Sequence, residues 1–398
     1  MTHTRRRSKL AVCLLAFTGA VASMTASTHA VSVRAYHIGN SVTDTLRYNG
    51  VTKLAQQDGN VYTFGKHISP GTTLSRIWNS TSTTSAQYSV SPFGTYRNAL
   101  RNYAWDAVTL QPFDSALLGT SGDLQMFKNF INYTTPKSPN AQFYVYSRWP
   151  RKTKNSAGQL VIDYQKKWVQ TYNYDTTTST SKYENETKGY FVRLLNRINA
   201  EKPAALKKKV LMVPVGDVMF EVDKRMRAGR IPGYSNIGQL YTDHIHLNHA
   251  GSYIVGLTFY STMYRDNPIG SAVPSNWNEA RLTSTQKRQF QEAVWSVVST
   301  HPYSGVTQGD TSLDGTLDAA DVTMIQANFN TPAELVSQGD ANTDGVVDIR
   351  DFVLLASSFN TTSAPVAMMS RAPSAVPEPT ALAAVALVGL AAVRRTRR

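Results

Sequence analysis

Short runs of apolar residues recur through residues 31–300 and predict buried β-strands. Each run is continuous rather than alternating with polar residues, as expected of parallel strands that helices cover on both faces. The predicted strands are 32–37, 61–64, 107–111, 143–147 and 209–214. This pattern indicates one large domain built around a parallel sheet.

Longer segments with apolar residues spaced for a helix are interspersed with these strands. The predicted helices include 189–200, 250–264 and 284–299. Alternation of strands and helices favours a layered α/β fold. Because ligands bind such sheets at the carboxyl ends of the strands, candidate functional residues are those at or just past predicted strand ends: Ser41, Gly71, Gln111 and Trp149.

The first 30 residues have the pattern of an export signal. A basic start over 5–9 precedes an apolar segment over 10–24, and small residues lead to a cleavage site after Ala30. We therefore expect residues 1–30 to be a signal peptide and the protein to be secreted. The only cysteine, Cys13, lies inside this segment, so the exported protein is expected to form no disulfide.

Charge divides the rest of the chain into a basic and an acidic part. Residues 31–300 contain 31 Lys and Arg against 17 Asp and Glu, whereas residues 301–360 contain one Arg and nine acidic residues. A basic surface can favour an acidic polysaccharide, a nucleic acid or an anionic membrane. No nucleic-acid-binding motif accompanies it, so nucleic acid is not an expected partner. The contrast predicts different roles for the two parts.

Two twelve-residue segments of the acidic part, 310–321 and 340–351, have the pattern of calcium-binding loops. Oxygen-bearing side chains fall at positions 1, 3, 5, 9 and 12, a glycine at position 6 allows the sharp turn, and position 7 offers its backbone carbonyl. The repeat in register, with an apolar helix after each loop, favours calcium over an acidic linker. The predicted ligands are Asp310, Ser312, Asp314, Thr316, Asp318 and Asp321, then Asp340, Asn342, Asp344, Val346, Asp348 and Asp351.

Residues 305–362 resemble a type I dockerin, because the loop is duplicated over a short length and both copies end in aspartate rather than glutamate. The resemblance implies a small all-α module with paired EF-hand-like loops and two structural calcium sites. It also implies folding that depends on calcium and docking to a cohesin-bearing protein. Ser312 departs from the Asp or Asn of that pattern, which lowers the negative charge of the first site.

The C-terminal residues combine a short motif, an apolar run and a basic end. Residues 363–375 have the composition of a linker. A Pro-Glu-Pro motif at 377–379 precedes an apolar run over 381–393, which is shorter than the roughly 20 residues of a membrane span. Residues 376–398 therefore resemble a PEP-CTERM sorting signal, with a marginal membrane helix as the alternative. The resemblance implies processing by an exosortase and a location at the cell surface or outside the cell.

Two short strings supply the residue types of a serine hydrolase. A Gly-Asn-Ser string at 39–41 follows the first predicted strand, and an Asp-x-x-His string at 243–246 precedes a predicted helix. They give a nucleophile, an acid and a base in the chain order Ser41, Asp243, His246. A histidine that takes the serine proton, and an aspartate that orients the histidine, allow the serine to attack an ester.

The two strings resemble the first and last blocks of the SGNH (GDSL-like) hydrolase superfamily over residues 32–265. The resemblance implies a flavodoxin-like three-layer α/β domain over 31–300 and catalysis without a cofactor. It also implies an oxyanion hole made by the backbone N–H groups of Ser41 and Gly71 with the side-chain amide of Gln111. The family has asparagine at that last position, and the glutamine side chain is one methylene longer.

Other residues near these strings have alternative interpretations. His244 is an alternative base, whereas His37 is expected to be a strand residue. Trp149 either walls the substrate pocket or packs in the core. Residues 169–188 form either a lid over the site or a loop without a role. In the first case the tyrosines of this loop would stack on sugar rings: Tyr172, Tyr174 and Tyr183.

We therefore expect an exported serine esterase that removes acyl groups, acetyl groups above all, from a polysaccharide. The substrate class follows from the dockerin resemblance and not from the chemistry of the site. The alternative is a catalytically inactive surface protein of SGNH fold that binds glycan or assembles through its dockerin. Activity on lipids or small esters is a third interpretation, which would require a wide apolar cleft.

Overall fold

A computed structural model describes residues 30–80, 88–178, 184–307, 309–312, 317–332, 336–342 and 346–362. The predicted signal peptide over 1–30 lies outside the described residues except for Ala30. The predicted linker over 363–375 and the sorting segment over 376–398 also lie outside them. Within the described ranges, no helix is both long and apolar enough to cross a membrane.

The described ranges contain eight strands: β1 Ser32–Gly39, β2 Val61–Ile68, β3 Tyr88–Ser89, β4 Ala107–Leu110, β5 Gln142–Tyr146, β6 Thr153–Lys154, β7 Leu160–Val161 and β8 Leu211–Val213. Six of them form one sheet in the order β3-β2-β1-β4-β5-β8. All neighbours pair in parallel except β3, which is an antiparallel edge strand beside β2. The short strands β6 and β7 form a separate antiparallel pair.

Counted along the chain, the five parallel strands follow the order 2-1-3-4-5 of the flavodoxin-like fold. The predicted parallel sheet and the five predicted strands are therefore confirmed, and β2 extends further than predicted, to Ile68. In this order the chain moves from β1 to β2 on one side and to β4 on the other side. The carboxyl end of β1 is thus a switch point, where ligands of such folds bind. Ser41 follows directly at this point.

The helices among the described residues are α1 Ser41–Asp44, α2 Tyr48–Gln57, α3 Leu74–Asn79, α4 Tyr96–Asn102, α5 Asp123–Thr134, α6 Tyr164–Trp168, α7 Lys188–Glu201, α8 Val215–Arg227, α9 His249–Tyr264, α10 Ser284–Val298, α11 Ala319–Ala327 and α12 Ile349–Thr362. The three predicted helices correspond to α7, α9 and α10. Helix α9 packs against α2, α8 and α10, whereas α5 packs against α3, α4 and α7. Two helical layers therefore cover the sheet, as the three-layer class predicts.

The acidic C-terminal part has a small hydrophobic core of its own. Its fully buried members are Ile325, Val347 and Leu355, and partly buried residues packed against them are Leu317, Val322 and Phe352. Helices α11 and α12 contact each other across this core. Each helix follows one of the two predicted calcium loops, in agreement with the repeat in the sequence.

Candidate functional site

The predicted nucleophile lies on a tight turn between β1 and α1. Gly39 ends the strand, and the side-chain oxygen of Asn40 caps the helix by accepting a hydrogen bond from the Val42 N–H at 3.0 Å. A Cβ atom on Gly39 would lie 2.0 Å from Thr43 Oγ1 and 3.0 Å from Gln111 Cβ, so only glycine fits here. This close approach places Ser41 at the carboxyl edge of the sheet.

The structure brings Ser41, His246 and Asp243 into one hydrogen-bonded chain. Ser41 Oγ lies 3.0 Å from His246 Nε2, and His246 Nδ1 lies 2.7 Å from Asp243 Oδ2. With the Nδ1 proton donated to the carboxylate, Nε2 is free to accept the serine proton. The three residues that the sequence singled out thus have the geometry of a nucleophile, a general base and an orienting acid.

Asp243 is held by the backbone of its own turn. Its Oδ1 accepts hydrogen bonds from the N–H groups of Ile245 and His246, each at 2.7 Å. Burial alone would raise the pKa of Asp243, but the hydrogen bonds from the His246 side chain and from these two N–H groups lower the pKa to about 2. The carboxylate is therefore ionised at every pH at which an esterase works.

Residues 149–152, which follow β5, hold the Asp243–His246 turn in place. Trp149 is fully buried and donates its indole N–H to the Ile245 carbonyl at 2.7 Å. The Lys152 N–H donates to the His244 carbonyl at 2.7 Å, and the Tyr241 hydroxyl donates to the Pro150 carbonyl at 2.7 Å. Of the two interpretations of Trp149, the structure favours packing, and it adds a contact to the catalytic turn that the sequence did not show.

The two other histidines that the sequence analysis considered, His244 and His37, do not take the position of the base. The His244 side chain is 54% exposed and its Nδ1 is 3.8 Å from Asp243 Oδ1. His37 is fully buried in β1, between the hydroxyl groups of Thr109 and Tyr62 at 2.8 and 2.7 Å. Burial, with a contribution from Lys66, lowers the pKa of His37 to about 3. It is a strand residue, as the sequence predicted.

The backbone N–H groups of the two predicted oxyanion residues, Ser41 and Gly71, lie on connected loops. The Asn40 side-chain amide donates to the Thr72 carbonyl at 3.1 Å and so ties the nucleophile turn to the loop that contains Gly71. Gly71 has a φ of +67° in this loop and an open space where a side chain would be. Within the described ranges, neither the Ser41 N–H nor the Gly71 N–H donates to a protein acceptor. Both are therefore available to a developing oxyanion.

The Gln111 side chain lies beneath the nucleophile turn and supports it. Its side-chain N–H donates to the Pro112 carbonyl at 2.7 Å, and its Oε1 accepts hydrogen bonds from Thr43 Oγ1 at 3.0 Å and from the Asn40 N–H at 3.5 Å. The side chain is buried beneath the nucleophile turn rather than turned toward a substrate. With one methylene more than asparagine, it folds back and supports the turn, and one of its two amide N–H groups is already donated to Pro112. Its role as an oxyanion donor stays a prediction.

A buried ion cluster next to the site escaped the sequence analysis. Arg148 and Glu186 are both fully buried, and Arg148 Nη1 lies 3.1 Å from Glu186 Oε1. Arg151 also pairs with Glu186, and its Nη2 lies 2.6 Å from Asp114 Oδ1. Burial would raise the pKa of Glu186, but Arg148, Arg151 and Lys167 lower it. The cluster holds in place the segment that carries Trp149.

The described part of the loop over 169–188 is attached to the body. The Tyr174 hydroxyl bonds with Thr187 Oγ1 at 2.6 Å, and its ring packs edge-on against Tyr190. Tyr172 packs against Tyr174 and donates to Gln170 Oε1 at 2.9 Å. Tyr174 is thus a packing residue, and Tyr183 lies outside the described residues.

A groove of about 650 Å³ is lined by sequence neighbours of the predicted catalytic residues: Asp44 is one helical turn from Ser41, and Leu247 follows His246. We call it the basic groove because it contains two cations. Arg47 is exposed, and Lys66 Nζ lies 2.5 Å from Asp44 Oδ1. The other lining residues are aromatic, polar or small: Thr45, Tyr48, Asn49, Phe64, Val90, Ser252 and Asn276.

The predicted calcium loops share one hydrogen-bonding pattern. At position 12, Asp321 accepts the N–H groups of Ser312 and Asp318, each at 2.8 Å. Asp351 accepts those of Asn342 and Asp348, at 2.9 and 2.7 Å. The carboxylates at positions 1 and 12 are buried in both loops: Asp310, Asp321, Asp340 and Asp351. Buried carboxylates need a compensating charge, so these residues fit a cation.

Not every predicted calcium ligand can be placed. Asp314, Thr316 and Asp344 lie outside the described residues. Val346 is exposed and forms an isolated bridge with Pro332. Within the described ranges, no group of three or more His, Cys, Asp or Glu residues is arranged to hold a metal ion. Calcium binding therefore stays a prediction.

Known proteins similar to this chain are distant. No family model and no curated protein matches it. A solved structure of a DUF4886 family protein from Bacteroides uniformis is 15% identical, with a TM-score of 0.45, over 68% of this chain and 95% of that one. A periplasmic domain of a lipopolysaccharide acetyltransferase from Salmonella ser. Paratyphi A is 13% identical, with a TM-score of 0.31, over 59% and 83%.

A gut microbial diltiazem-metabolizing enzyme is 14% identical, with a TM-score of 0.31, over 58% of this chain and 46% of that one. All three TM-scores lie below 0.5. These similarities therefore add no argument about activity, which is drawn from the geometry of the site alone.

Proposed function

We propose that the chain is an exported serine esterase of SGNH type that removes acyl groups, acetyl groups above all, from a polysaccharide. The observation that carries the proposal is the hydrogen-bonded chain from Ser41 Oγ through His246 to Asp243, with distances of 3.0 and 2.7 Å. It stands at the carboxyl end of β1, the switch point of the sheet.

The contacts support a two-step acyl transfer. His246 Nε2 takes the Ser41 proton as Oγ bonds to the acyl carbon, and the carbonyl oxygen becomes an oxyanion between the N–H groups of Ser41 and Gly71. The bond to the sugar oxygen then breaks, and His246 returns the proton to that oxygen. Water repeats the sequence on the acyl-serine and releases the acid. Asp243 keeps the Nδ1 proton on His246 and stabilises the imidazolium.

The openness of the site supports a large, polar substrate. The His246 and Asp243 side chains are 41% and 45% exposed, so the described residues do not enclose them in an apolar tunnel of the kind that a lipid would require. The basic groove offers the exposed Arg47 beside hydroxyl and amide groups, whereas Lys66 is paired with Asp44. An acyl ester on an acidic or sulfated glycan would suit this lining.

The acidic module supports a proposal of calcium binding and partner docking. We propose two structural calcium ions, held by the predicted ligands of the two loops, whose positive charge would balance the buried carboxylates. Exposed apolar side chains on the module would suit a cohesin-bearing protein: Phe329, Val346, Ile349 and Val353. Secretion and sorting by an exosortase remain proposals based on the two terminal segments.

One observation favours a second candidate, a glycan-binding surface protein that does not hydrolyse. One N–H of the Gln111 amide is already donated to the Pro112 carbonyl, and loss of an oxyanion-hole donor costs about 3–4 kcal/mol in the transition state. A site without that donor would bind acylated glycan with too little transition-state stabilisation for useful turnover.

Covalent labelling distinguishes the two candidates. We expect a fluorophosphonate probe to label the wild-type protein at Ser41 and to leave Ser41→Ala unlabelled, because only an activated serine attacks phosphorus. Ser69 follows β2 near Gly71, and Ser69→Ala is the matched control that should label normally. An unlabelled wild-type protein would favour the binding protein. A screen of acetylated glycans, acidic ones included, would then identify the substrate.

A further inference from the structure

The segment between α10 and the first calcium loop has a linker composition but is fixed to the hydrolase body. Residues 299–309 are rich in Ser, Thr, Gly and Pro. The Ser304 hydroxyl nevertheless donates to the Val298 carbonyl at 2.8 Å and also contacts the His301 carbonyl at 3.1 Å. The Val306 N–H donates back to Ser304 Oγ at 3.1 Å. The segment therefore has a defined path.

The same segment binds the edge of the central sheet. The Met212 N–H of β8, the last strand of the sheet, donates to the Tyr303 carbonyl at 2.8 Å. His301 Nε2 lies 3.3 Å from Asp217 Oδ2 at the start of α8. A Cβ on Gly305 would lie 2.5 Å from Leu211 Cδ1, so the backbone there runs directly against the body. The segment that leads to the module is thus attached along β8.

A second contact joins the first calcium loop to the end of α9. Arg265 caps α9 at its C-terminus and directs Nη1 toward Asp310 Oδ2, at 3.9 Å. Asp310 is position 1 of the loop, and its other oxygen, Oδ1, accepts a hydrogen bond from the Ser312 hydroxyl at position 3, at 3.3 Å. One carboxylate therefore faces both the body and the interior of the predicted calcium site.

Body and module also enclose a cavity of about 30 Å³. Its walls include Trp295 of α10 and Ser299, which follows α10, on one side and Val336, Ala341 and Asn342 of the module on the other side. Val336 and Ala341 are only 6% exposed although neither belongs to the core of the module. The body therefore supplies part of the burial that the module needs.

The module is small, and domains of about 60 residues are only marginally stable without a metal or another support. Within the described ranges its core contains three fully buried apolar residues. We infer that the calcium module is an integral part of the hydrolase body, and that calcium binding at its loops stabilises the body through the interface formed by Arg265, Asp310 and the cavity. This inference rests on the proposed calcium binding.

Tryptophan fluorescence can test the inference on the full chain, because all six tryptophans lie between residues 78 and 295, in the body, and the module has none. An ion that binds only the native state shifts the unfolding equilibrium of every part that unfolds with it. With calcium chloride at about a hundredfold excess over its dissociation constant, we expect the tryptophan-monitored melting temperature to rise by roughly 5 °C relative to chelated protein. Magnesium chloride is the ion control.

Arg265→Ala tests the interface itself. We expect it to keep calcium binding, measured by isothermal titration with calcium chloride, but to lose most of the calcium-dependent rise in the tryptophan melting temperature. Arg288→Ala is the matched control, because Arg288 is an exposed arginine of α10 paired with Glu292 in the body. It should keep the full rise.

The outcomes separate this inference from the proposals on which it rests. Calcium binding without any change in the tryptophan-monitored melting would overturn the coupling and leave the calcium sites intact. Absence of calcium binding in the titration would overturn both. An undiminished rise in Arg265→Ala would show that Arg265 does not couple the two parts. None of these outcomes bears on the esterase, which fluorophosphonate labelling tests separately.

Discussion

The Asp243–His246 turn and the two predicted calcium loops both hold aspartates with hydrogen bonds from backbone N–H groups. They differ in how exposed these aspartates are and in what their second oxygen accepts. One oxygen of Asp243 accepts hydrogen bonds from two backbone N–H groups, the other pairs with His246, and the side chain is 45% exposed. In Asp321 and Asp351 both oxygens accept hydrogen bonds from backbone N–H groups, and both side chains are fully buried. A solvated carboxylate stays ionised by itself and can serve a reaction. Buried ones lack that solvation, which is why we propose calcium as their compensating charge.

The change with the largest expected effect is Asp243→Asn, which tests whether the solvated carboxylate serves a reaction. The amide would turn an N–H toward His246 and favour the wrong imidazole tautomer, so we expect kcat for a simple acetyl ester to fall about 10⁴-fold. The fold should persist, because the change is nearly isosteric. His244→Ala alters the neighbouring exposed histidine and should keep close to wild-type turnover. If Asp243→Asn retained most of its activity, Asp243 would not be the orienting acid.

Gln111→Met tests the support beneath the nucleophile turn. The change leaves the Thr43 hydroxyl and the Asn40 N–H without their acceptor, so we expect the free energy of unfolding to drop by about 1–3 kcal/mol. Turnover measured well below the melting temperature should change little. If Gln111 were instead an oxyanion donor, the same change would lower kcat roughly 10²–10³-fold and leave the melting temperature unchanged. Thermal denaturation and kcat together decide between them.

The smallest expected effect is on acid stability. The pKa of Asp243 is lowered from 3.8 to about 2 in the folded chain, so the stability that it contributes is complete above pH 3.8 and is lost as the pH falls to 2. Because the side chain is half exposed, this contribution is on the order of 1 kcal/mol. Urea unfolding of wild-type protein and Asp243→Asn should show a stability difference that shrinks over this interval. A constant difference would contradict the role of the charge.

The sequence predicted what depends on local pattern. Continuous apolar runs predicted the five parallel strands, because each strand of a sheet that is buried on both faces consists mostly of apolar residues. Helical spacing of apolar residues predicted α7, α9 and α10. The strings at 39–41 and 243–246 are each only a few residues long, so both can be identified as candidate site residues without knowledge of the fold. Of Ser41 and His246, only Ser41 was placed at the carboxyl edge of the sheet; its pairing with His246 was predicted from the two residue types and from the family resemblance, not from a strand end.

What the sequence did not predict depends on contacts between distant segments. The direction of the Gln111 amide is decided by Thr43 and Pro112, and no residue type reveals a side-chain rotamer. Arg148 and Glu186 are far apart in the chain, so nothing local marks them as a pair. The composition of residues 299–309 suggests flexibility, and only the position of β8 at the edge of the sheet explains why the segment is fixed.

Helix α9 carries a consequence for the evolution of this chain. Asn248 caps one end, two residues after His246, and Arg265 caps the other end beside Asp310. All residues between Ala250 and Tyr264 are buried. Adding or removing one residue would turn one end by about 100° relative to the other. An insertion in α9 could therefore not be absorbed at either end, and its length is expected to stay constant while the loops around it vary.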